Sequence, residues 1–460
     1  MTVHVVETFV PRKRRGAELI LLVMALLLGV GAYALVGLGT KDEVPTDILK
    51  YGGGLVALAL VAHVAVRVKA TYADPVILPA VVALNGIGLA MIRRIDIGRQ
   101  VSYGAKDTYA TQQLIWTALS VAAFVATLFL IRDHRRLQAF TYTLGFVGVG
   151  LLLLPLLPVI GVNINGARIW IRVAGFSFQP GEIAKICLAI FFAGYLVVKR
   201  DALALAGRRF LGIDLPRGRD LGPIVAMWLV SLAVLVFQRD LGSSLLFFGL
   251  FVALLYVATQ RASWLVVGAA LFAAGAYLGY LTFGHVQARV EGWLDPFSNE
   301  DVYGQITQGQ YGLAWGGILG RGLGQGTPHL TSYSWTDFIG TSLGEELGLT
   351  GLMAIIVIYG IIVERALRTA LVCRDAFGKL LAVGLGAATA LQVFVVLGGV
   401  TRLIPLTGLT TPFLSYGGSS LLANWIAVAL ILRISDQARR PLPDVHLPTA
   451  EDQTQQVLLR

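Results

Sequence analysis

Charged residues are scarce in this sequence: Asp, Glu, Lys and Arg together make up 14% of its 460 residues. Soluble domains carry about 25% charged residues, so a soluble globular protein is excluded. Hydrophobic residues make up 56% of the chain, and its mean hydropathy is +0.72. Most of the chain is therefore expected to lie in a bilayer, with length for on the order of ten or more spans of ~20 residues.

Cysteine is also scarce, and the common metal and nucleotide motifs are missing. The only cysteines, Cys187 and Cys373, lie in or near apolar segments, so neither a disulfide framework nor a zinc site is indicated. The six histidines are scattered, and no HExxH, CxxC, Walker A or GxSxG pattern occurs. The glycine-rich stretch GGILGRGLGQG does not follow a strand, so it does not indicate a nucleotide site.

Long apolar runs predict an all-α, polytopic membrane protein with about twelve transmembrane helices. An even number of spans puts both chain termini on the same side of the membrane. A short tail, residues 435–460, follows the last span. The predicted spans are 17–39, 52–68, 76–95, 111–132, 138–160, 182–199, 222–239, 242–259, 263–283, 338–364, 378–400 and 416–434.

Basic residues indicate the orientation of these spans. Arg and Lys collect in the N-terminal segment and in every second connection, as expected of cytoplasmic segments beside anionic lipid. This pattern predicts cytoplasmic termini, places residues 284–337 outside, and accounts for the net charge of +10 without nucleic acid. One outside connection disagrees, because it carries Arg93, Arg94, Arg99 and Lys106. Either the span count is off by one helix, or these cations serve something anionic outside.

The longest polar stretch runs from Gly284 to Glu346 and is predicted to be functional. A solvated connector would favour Ser, Lys and Glu, whereas this stretch interleaves aromatic residues as at a membrane interface. Its glycine run, residues 316–326, argues against a regular helix there and favours tight turns. The acidic residues of the stretch are Glu291, Asp295, Glu300, Asp301, Asp337, Glu345 and Glu346.

A second interruption lies before the sixth predicted span. The pair Gln179-Pro180 fits a helix start, with Pro at the first helical position. Glu182 and Lys185 then fall at i and i+3, adjacent on one helix face. This spacing suits an ion pair at the membrane interface and equally suits a functional site.

Two further interruptions lie at residues 238–240 and 401–420. Gln238, Arg239 and Asp240 separate two apolar runs, where ionisable residues are costly unless they face a cavity or a partner. An Arg–Asp pair that merely neutralises itself is the alternative. The segment 401–420 contains two prolines and paired glycines, which predict a bent, re-entrant segment that is buried in protein or lines a cavity.

The motifs in these interruptions occur together in one known family. They read NGARIWIRV and FSFQPGEIAKI between residues 165 and 186, QRDLGSS from Gln238, and RVEGWLDPF, followed by the glycine run, from Arg289. SWTDFIGTSLGEELGLTG from Ser334 and PFLSYGGSS from Pro412 complete the set. In this order they resemble the SEDS family (shape, elongation, division and sporulation), which includes RodA and FtsW.

The resemblance implies a ten-helix membrane domain over residues 76–434, with its large outer loop at 284–337. Residues 1–75 then hold a cytoplasmic N-terminus and two additional helices, which resembles the RodA-like branch of high-GC Gram-positive bacteria. The family implies a peptidoglycan glycosyltransferase that polymerises lipid II outside the plasma membrane, for elongation and cell shape or for division. The implied partners are a class B penicillin-binding protein, lipid II, undecaprenyl-diphosphate-linked glycan and membrane lipid, with no nucleic acid.

The resemblance also implies a catalytic aspartate in the outer loop. In the family this residue belongs to an Asp-Pro that follows a W-x-(D/N)-P-type element. Here the stretch reads WLDPFSNEDVYGQITQ, in which no second Asp-Pro follows. Asp301 is the best match for the catalytic residue, with Glu300 and Asp295 as the alternates.

Glycan polymerisation needs a general base for the acceptor hydroxyl and cations or dipoles for the leaving diphosphate. Arginines, Arg239 among them, are candidates for diphosphate contacts because a guanidinium grips phosphate oxygens in pairs. A divalent cation, Mg²⁺ or Mn²⁺, held by carboxylates fits this chemistry, although no residue pattern requires one. The predicted substrate-binding residues are Arg168, Arg172, Glu182, Lys185, Gln238, Asp240, Asp337, Glu345, Arg402 and Ser415.

A flippase for the lipid-linked precursor is the alternative function, because broken helices and polar residues in the membrane suit a transporter too. The location of the carboxylates distinguishes the two functions. A flippase needs a charged path through the membrane, whereas the acids here cluster in the outer loop and where the chain re-enters the membrane. This distribution favours the enzyme.

Overall fold

The computed structural model describes residues 13–164, 166–173, 176–204, 206–210, 213–216 and 222–441. Within these ranges helices dominate, as predicted for an all-α membrane protein. The α-helices of the described residues are α1 Arg15–Lys41, α2 Ile48–Lys69, α3 Ile77–Tyr103, α4 Tyr109–Leu130, α5 Thr141–Leu153, α6 Pro180–Ala204, α7 Gly222–Gln238, α8 Leu241–Thr259, α9 Ser263–Thr282, α10 Gly284–Leu294, α11 Glu300–Gly316, α12 Ile339–Val372, α13 Ala376–Val400 and α14 Gly418–Arg439.

Two small antiparallel sheets accompany the helices and were not predicted. Strands β1 Gly161–Ile164, β2 Ala167–Val173 and β3 Phe176–Phe178 pair in that order between α5 and α6. Strands β4 Ala206–Phe210 and β5 Ile213–Pro216 pair between α6 and α7. The sequence of β2, ARIWIRV, alternates β-branched with other residues, as a strand does. Its five apolar residues could not be distinguished from the stronger hydrophobic signal of the flanking spans.

Eleven helices of the described residues are long and apolar enough to cross a membrane. They are α1 to α6, α8, α9 and α12 to α14, where a 3₁₀ segment from His134 lengthens α5. Helix α7 is apolar but has only 17 residues, so the expected count of twelve spans stays a prediction. The break between α7 and α8 falls at Arg239, which has a positive φ of 56°. The polar residues 238–240 predicted an interruption at this position.

Three helices lie at the centre of the bundle, and two of them, α3 and α14, are the least apolar of the candidate spans. Helices α3, α13 and α14 are largely buried, whereas α1, α4, α5 and α9 leave broad apolar surfaces uncovered. On α14 the indole of Trp425 packs edge-on against Phe124 and Phe413. The apolar outer surfaces suit contact with lipid, and the centre is where intramembrane polar residues find partners.

The predicted outer loop contains more regular structure than the sequence suggested. It begins with helices α10 and α11, and the chain from Gly317 to α12 is irregular apart from a 3₁₀ turn at Pro328–Leu330. The glycine run lies along α12: Gly322 N donates to Glu346 O at 2.9 Å and Leu349 N donates to Gly317 O at 2.9 Å. At Gly348, α12 kinks with a φ of 69°, and a β-carbon there would overlap the backbone at Gly320.

The bundle has two chemically different ends. The end that carries residues 284–337 is called the loop end below, and the other end, at which residues 70–74, 128–136, 365–375 and 433–440 meet, is called the basic end. At the basic end Asp74 pairs with Arg439 at 2.7 Å, and Asp436 pairs with Arg440 at 2.8 Å. The Arg433 guanidinium donates to the backbone carbonyls of residues 69 and 128.

The basic residues that disagreed with the predicted orientation have partners within the chain. Arg93 pairs with Asp47 at 2.9 Å, and Arg94 pairs with Glu346 at 2.7 Å. Arg99 lies over the rings of Tyr109 and Trp335, with its guanidinium carbon 4.7 and 4.5 Å from the ring centroids. These contacts give three of the four cations a structural role at the loop end without a change in the helix order.

Candidate active site

The first part of the site is a buried ion pair on the first turns of α6. Lys185 Nζ donates to Glu182 Oε2 at 2.8 Å, as the i, i+3 spacing predicted. It also donates to Gln392 Oε1 on α13 at 2.7 Å and to Asn424 Oδ1 on α14 at 3.3 Å. All four side chains are buried in protein, and Gln392 is completely inaccessible to solvent. The pair therefore joins three central helices and does not face lipid.

The second part is the segment between α13 and α14, which is irregular as predicted. Gln392 Nε2 donates to Thr410 O at 2.9 Å, which connects the segment to the Lys185 cluster. The buried Ser415 hydroxyl accepts from Thr411 N at 2.8 Å and donates to Thr336 O at 2.7 Å. Irregular backbone is tolerated at this depth because these contacts provide hydrogen-bond partners for its N–H and C=O groups. Ser415 thereby fixes the backbone immediately before Asp337.

The third part brings two carboxylates near one guanidinium. Asp240 caps the N-terminus of α8: its Oδ1 accepts from Ser243 N at 3.0 Å, while its buried Oδ2 has no hydrogen-bond partner among the described residues. A β-carbon on Gly408 would lie 3.7 Å from both Arg289 Nη2 and Asp337 Oδ2, so these two groups flank one glycine. Burial raises the pKa of Asp337 to about 6 against the opposing charge of Arg289, and Asp240 adds to the rise.

The three acids predicted for catalysis lie at the α10–α11 connection, and all are exposed. Asp295 shapes the turn, because its Oδ1 accepts from Phe297 N at 3.3 Å and its carbonyl accepts from Ser298 Oγ at 2.7 Å. Asn299 caps α11, which leaves Glu300 and Asp301 in the first helical turn. Acidic residues are common in a first helical turn, where the positive end of the helix dipole lies.

The predicted arginines occupy two different settings. Arg168 and Arg172 are exposed on β2, whose pairing with β1 is irregular between Ala167 and Trp170. Arg402 instead caps the C-terminus of α10: its Nη2 donates to Trp293 O at 2.9 Å and to Leu294 O at 3.1 Å. Arg402 thus holds the turn that carries Asp295, and its contact with substrate stays a prediction.

Two other predicted residues have structural partners. Glu345 Oε1 accepts from Thr327 N at 2.6 Å, so this buried carboxylate anchors the end of the glycine run. Gln238 is buried at the end of α7, and its Nε2 donates to Leu152 O. Both residues support the site from its edges, and the substrate contacts predicted for them are untested.

Sequence reasoning missed Arg289, Gln392, Asn424 and Gly408 as parts of this site. Gln392 and Asn424 carried a signal, since each is a lone polar residue inside an apolar span, where polar groups need partners. Arg289 and Gly408 carried none, because their proximity to Asp337 depends on contacts between distant segments.

Together these features define a class: a polytopic helical membrane protein whose buried polar centre extends to an acidic loop at one end. Residues 75–440 match the FtsW/RodA/SpoVE family model, described as cell cycle protein, and the chain belongs to this family. It is 50% identical over 431 residues to the peptidoglycan glycosyltransferase RodA of Mycobacterium tuberculosis, which covers 93% of this chain and 92% of the relative.

Solved structures agree with the fold. A structure that describes coordination of polymerization and crosslinking by a peptidoglycan synthase complex contains a chain with 25% identity and a TM-score of 0.63, over 80% of this chain and 99% of that one. The rod shape determining protein RodA of Thermus thermophilus gives a TM-score of 0.56 at 24% identity, with coverage of 80% and 99%. The all-helical membrane fold and the family resemblance predicted from the sequence are confirmed.

Proposed function

We propose that this chain is a peptidoglycan glycosyltransferase that polymerises lipid II into glycan strands at the outer face of the plasma membrane. Family membership and the 50% identity to a protein named for this activity support the reaction class. The observation that carries the proposal is the position of the acids. Two available carboxylates lie at the loop end, Asp240 with a buried unpartnered oxygen and Asp301 with an exposed side chain, whereas Asp74 and Asp436 at the basic end are paired.

Asp301 is the proposed general base. Its carboxylate takes the proton from the 4-hydroxyl of the acceptor sugar as that oxygen bonds to the anomeric carbon of the donor. The bond from the anomeric carbon to the diphosphate oxygen breaks, and undecaprenyl diphosphate leaves. Exposure of Asp301 on the first turn of α11 supports the role, because a lipid-anchored sugar approaches from this surface. Glu300 and Asp295 remain the alternates.

Cationic groups near the membrane are proposed to hold the diphosphates. Arg168 and Arg172 are exposed on β2, and a guanidinium group is suited to bidentate phosphate contacts. Lys185 is fully engaged by its buried partners, which supports a role in positioning α6. Arg289 lies near the half-buried Asp337 and is the cation best placed to compensate charge as the reaction proceeds.

A crosslinking enzyme, a class B penicillin-binding protein, is the proposed partner. The support is that the structural neighbour at TM-score 0.63 belongs to a complex that coordinates polymerization and crosslinking. The apolar surfaces of α1, α4, α5 and α9 are available to lipid or to the membrane helix of such a partner. The identity of this partner decides whether the glycosyltransferase acts in elongation or in division.

Polymerisation of purified lipid II tests the proposal. The purified chain is incubated with lipid II in detergent, alone and with its class B partner, and glycan strands are resolved by gel electrophoresis. The proposal predicts a ladder of strands that muramidase digests to disaccharides. A flippase would give no ladder and would move labelled lipid II between the leaflets of vesicles, and that result would overturn the glycosyltransferase.

A further inference from the structure

Three side chains of metal-binding type meet at the basic end, far from the proposed active site. His134 Nε2 lies 2.9 Å from Asp375 Oδ1, and Cys373 Sγ lies 3.5 Å from the same oxygen. The three ligand atoms all fall within 4.8 Å of one another. His134 and Cys373 are buried, and Asp375 is half-buried. We propose that His134, Cys373 and Asp375 bind a zinc ion.

The geometry suits zinc with small movements. Zinc binds thiolate sulfur at about 2.3 Å and imidazole nitrogen or carboxylate oxygen at about 2.0–2.2 Å, so tetrahedral ligands lie roughly 3.3–3.7 Å apart. The observed ligand–ligand separations, from 2.9 Å up to at most 4.8 Å, extend to both sides of this range. A thiolate with an imidazole selects zinc over magnesium or calcium, which prefer oxygen ligands alone. One thiolate and one carboxylate also neutralise the divalent charge, and three protein ligands leave a fourth position for water.

The surroundings hold the ligands in place. Asp375 Oδ2 accepts from Gly378 N at 2.6 Å, the cap of α13, which fixes the carboxylate. His134 Nδ1 is buried without a hydrogen-bond partner among the described residues and lies 4.0 Å from Asp133 Oδ1. A carboxylate that accepts from the second nitrogen of a metal-binding imidazole orients the ring, and Asp133 would have to move closer to His134 Nδ1 to do so.

Glycine at position 378 makes the approach of the ligands feasible. A β-carbon there would overlap His134 Nε2 and would come within 2.9 Å of Cys373 Sγ. The three ligands therefore converge over a position where the backbone carries no side chain. Arg135 Nε also lies 3.4 Å from Asp375 Oδ1, but this arginine side chain is 56% exposed and is free to turn away when a cation binds.

The ion would join two connections that are distant in the chain. His134 follows α4, whereas Cys373 and Asp375 lie between α12 and α13. Because α13 supplies Gln392 to the Lys185 cluster, zinc at the basic end would secure a helix that also contributes to the active site. The sequence showed no zinc motif because 239 residues separate His134 from Cys373.

Zinc binding by the full-length protein in detergent tests the proposal. After treatment with EDTA and a thiol reductant, the wild type is titrated with Zn²⁺ against a chromophoric chelator, and bound metal is counted by mass spectrometry. We expect one zinc per chain and a rise in Tm that Mg²⁺ does not reproduce. With Co²⁺, a thiolate-to-cobalt charge-transfer band is expected.

Variants locate the ion. Cys373→Ser and Asp375→Asn should each weaken zinc affinity by more than about tenfold, since even changes behind the ligands cost this much. Asn retains the capping ability of Asp375, so this variant separates metal binding from folding. Cys187→Ser, a change at the other buried cysteine, should bind zinc as the wild type does. Sub-stoichiometric zinc with no change in Tm for the wild type, or equal zinc in wild type and Cys373→Ser, would overturn the site.

Discussion

The two ends of the bundle differ in how many of their carboxylates are left without a partner. At the basic end Asp436 accepts from Tyr72 N and pairs with Arg440, each at 2.8 Å. At the loop end Asp240 keeps one buried oxygen without a partner in the described chain, and Asp301 is exposed in the first turn of α11. Charge that is fully compensated stabilises an arrangement, whereas charge left available binds or reacts. This difference supports the proposal that the chemistry takes place at the loop end and that the basic end is scaffolding.

The largest expected effect is that of Asp301→Asn. Asn is nearly isosteric but cannot accept the proton, so polymerisation should fall by about 10²–10⁴-fold. Folding, membrane insertion and lipid II binding should be retained, which Tm and a binding assay measure.

Asp295→Asn is the matched control for this change. Asp295 holds the turn before α11, so its replacement should be milder. The reverse ranking would move the base to Asp295, and full activity in both variants would remove aspartate catalysis from this loop.

Lys185→Ala tests whether the buried cluster around Lys185 contributes to the activity proposed for the loop end. The change leaves Glu182 buried without its cation, which costs about 3–5 kcal/mol for a buried pair. Both Tm and polymerisation should therefore fall. Lys379→Ala, at an exposed lysine of the basic end, is the control and should change neither. Wild-type behaviour of Lys185→Ala in both assays would make the ion pair dispensable.

At the basic end the same kind of change should cost stability alone. Asp436→Ala removes a buried acceptor of Tyr72 N and a partner of Arg440, so we expect a loss of about 1–3 kcal/mol. The polymerisation rate per folded molecule should stay unchanged. Glu364→Ala, which breaks only exposed pairs with Arg365 and Arg368, should cost less than about 1 kcal/mol. A loss of catalytic rate per folded molecule in Asp436→Ala would contradict the purely structural role of the basic end.

The smallest expected effect is a pH dependence from Asp337. Its folded pKa, about 6, lies above the ordinary value of 3.8, so the folded state holds the proton more tightly than the unfolded state. Stability should therefore fall as pH rises from about 4 to 6, by on the order of 1 kcal/mol after solvent screening. Asp337→Asn should flatten this part of the Tm–pH curve. A curve identical to that of the wild type would show that Asp337 does not titrate there.

Local patterns predicted the parts of the structure that depend on neighbours in sequence. The i, i+3 spacing gave the Glu182–Lys185 pair, and the interruption at residues 238–240 gave the break between α7 and α8. The two prolines of segment 401–420 gave irregular backbone buried in protein. In each case the cost of a polar or helix-breaking group in lipid made the pattern informative.

The parts that were missed depend on contacts between distant segments. No local sequence pattern indicates that Arg289 lies beside Asp337, or that Arg94 forms an ion pair with Glu346, 252 positions further along the chain. The helices α10 and α11 were missed for another reason: aromatic and glycine residues in 284–316 obscured their helical pattern. The cations that disagreed with the predicted orientation have partners within the chain, namely Asp47, Glu346 and two aromatic rings.

The central claim is that the end with available carboxylates faces outside, where lipid-linked sugars are polymerised. Site-directed labelling tests it directly, because both native cysteines are buried and the background is low. Ser332→Cys at the loop end and Asp201→Cys at the end of α6 both provide exposed thiols. In intact cells an impermeant maleimide should label Ser332→Cys at once and Asp201→Cys only after lysis. Labelling of Asp201→Cys in intact cells, with Ser332→Cys protected until lysis, would contradict the account.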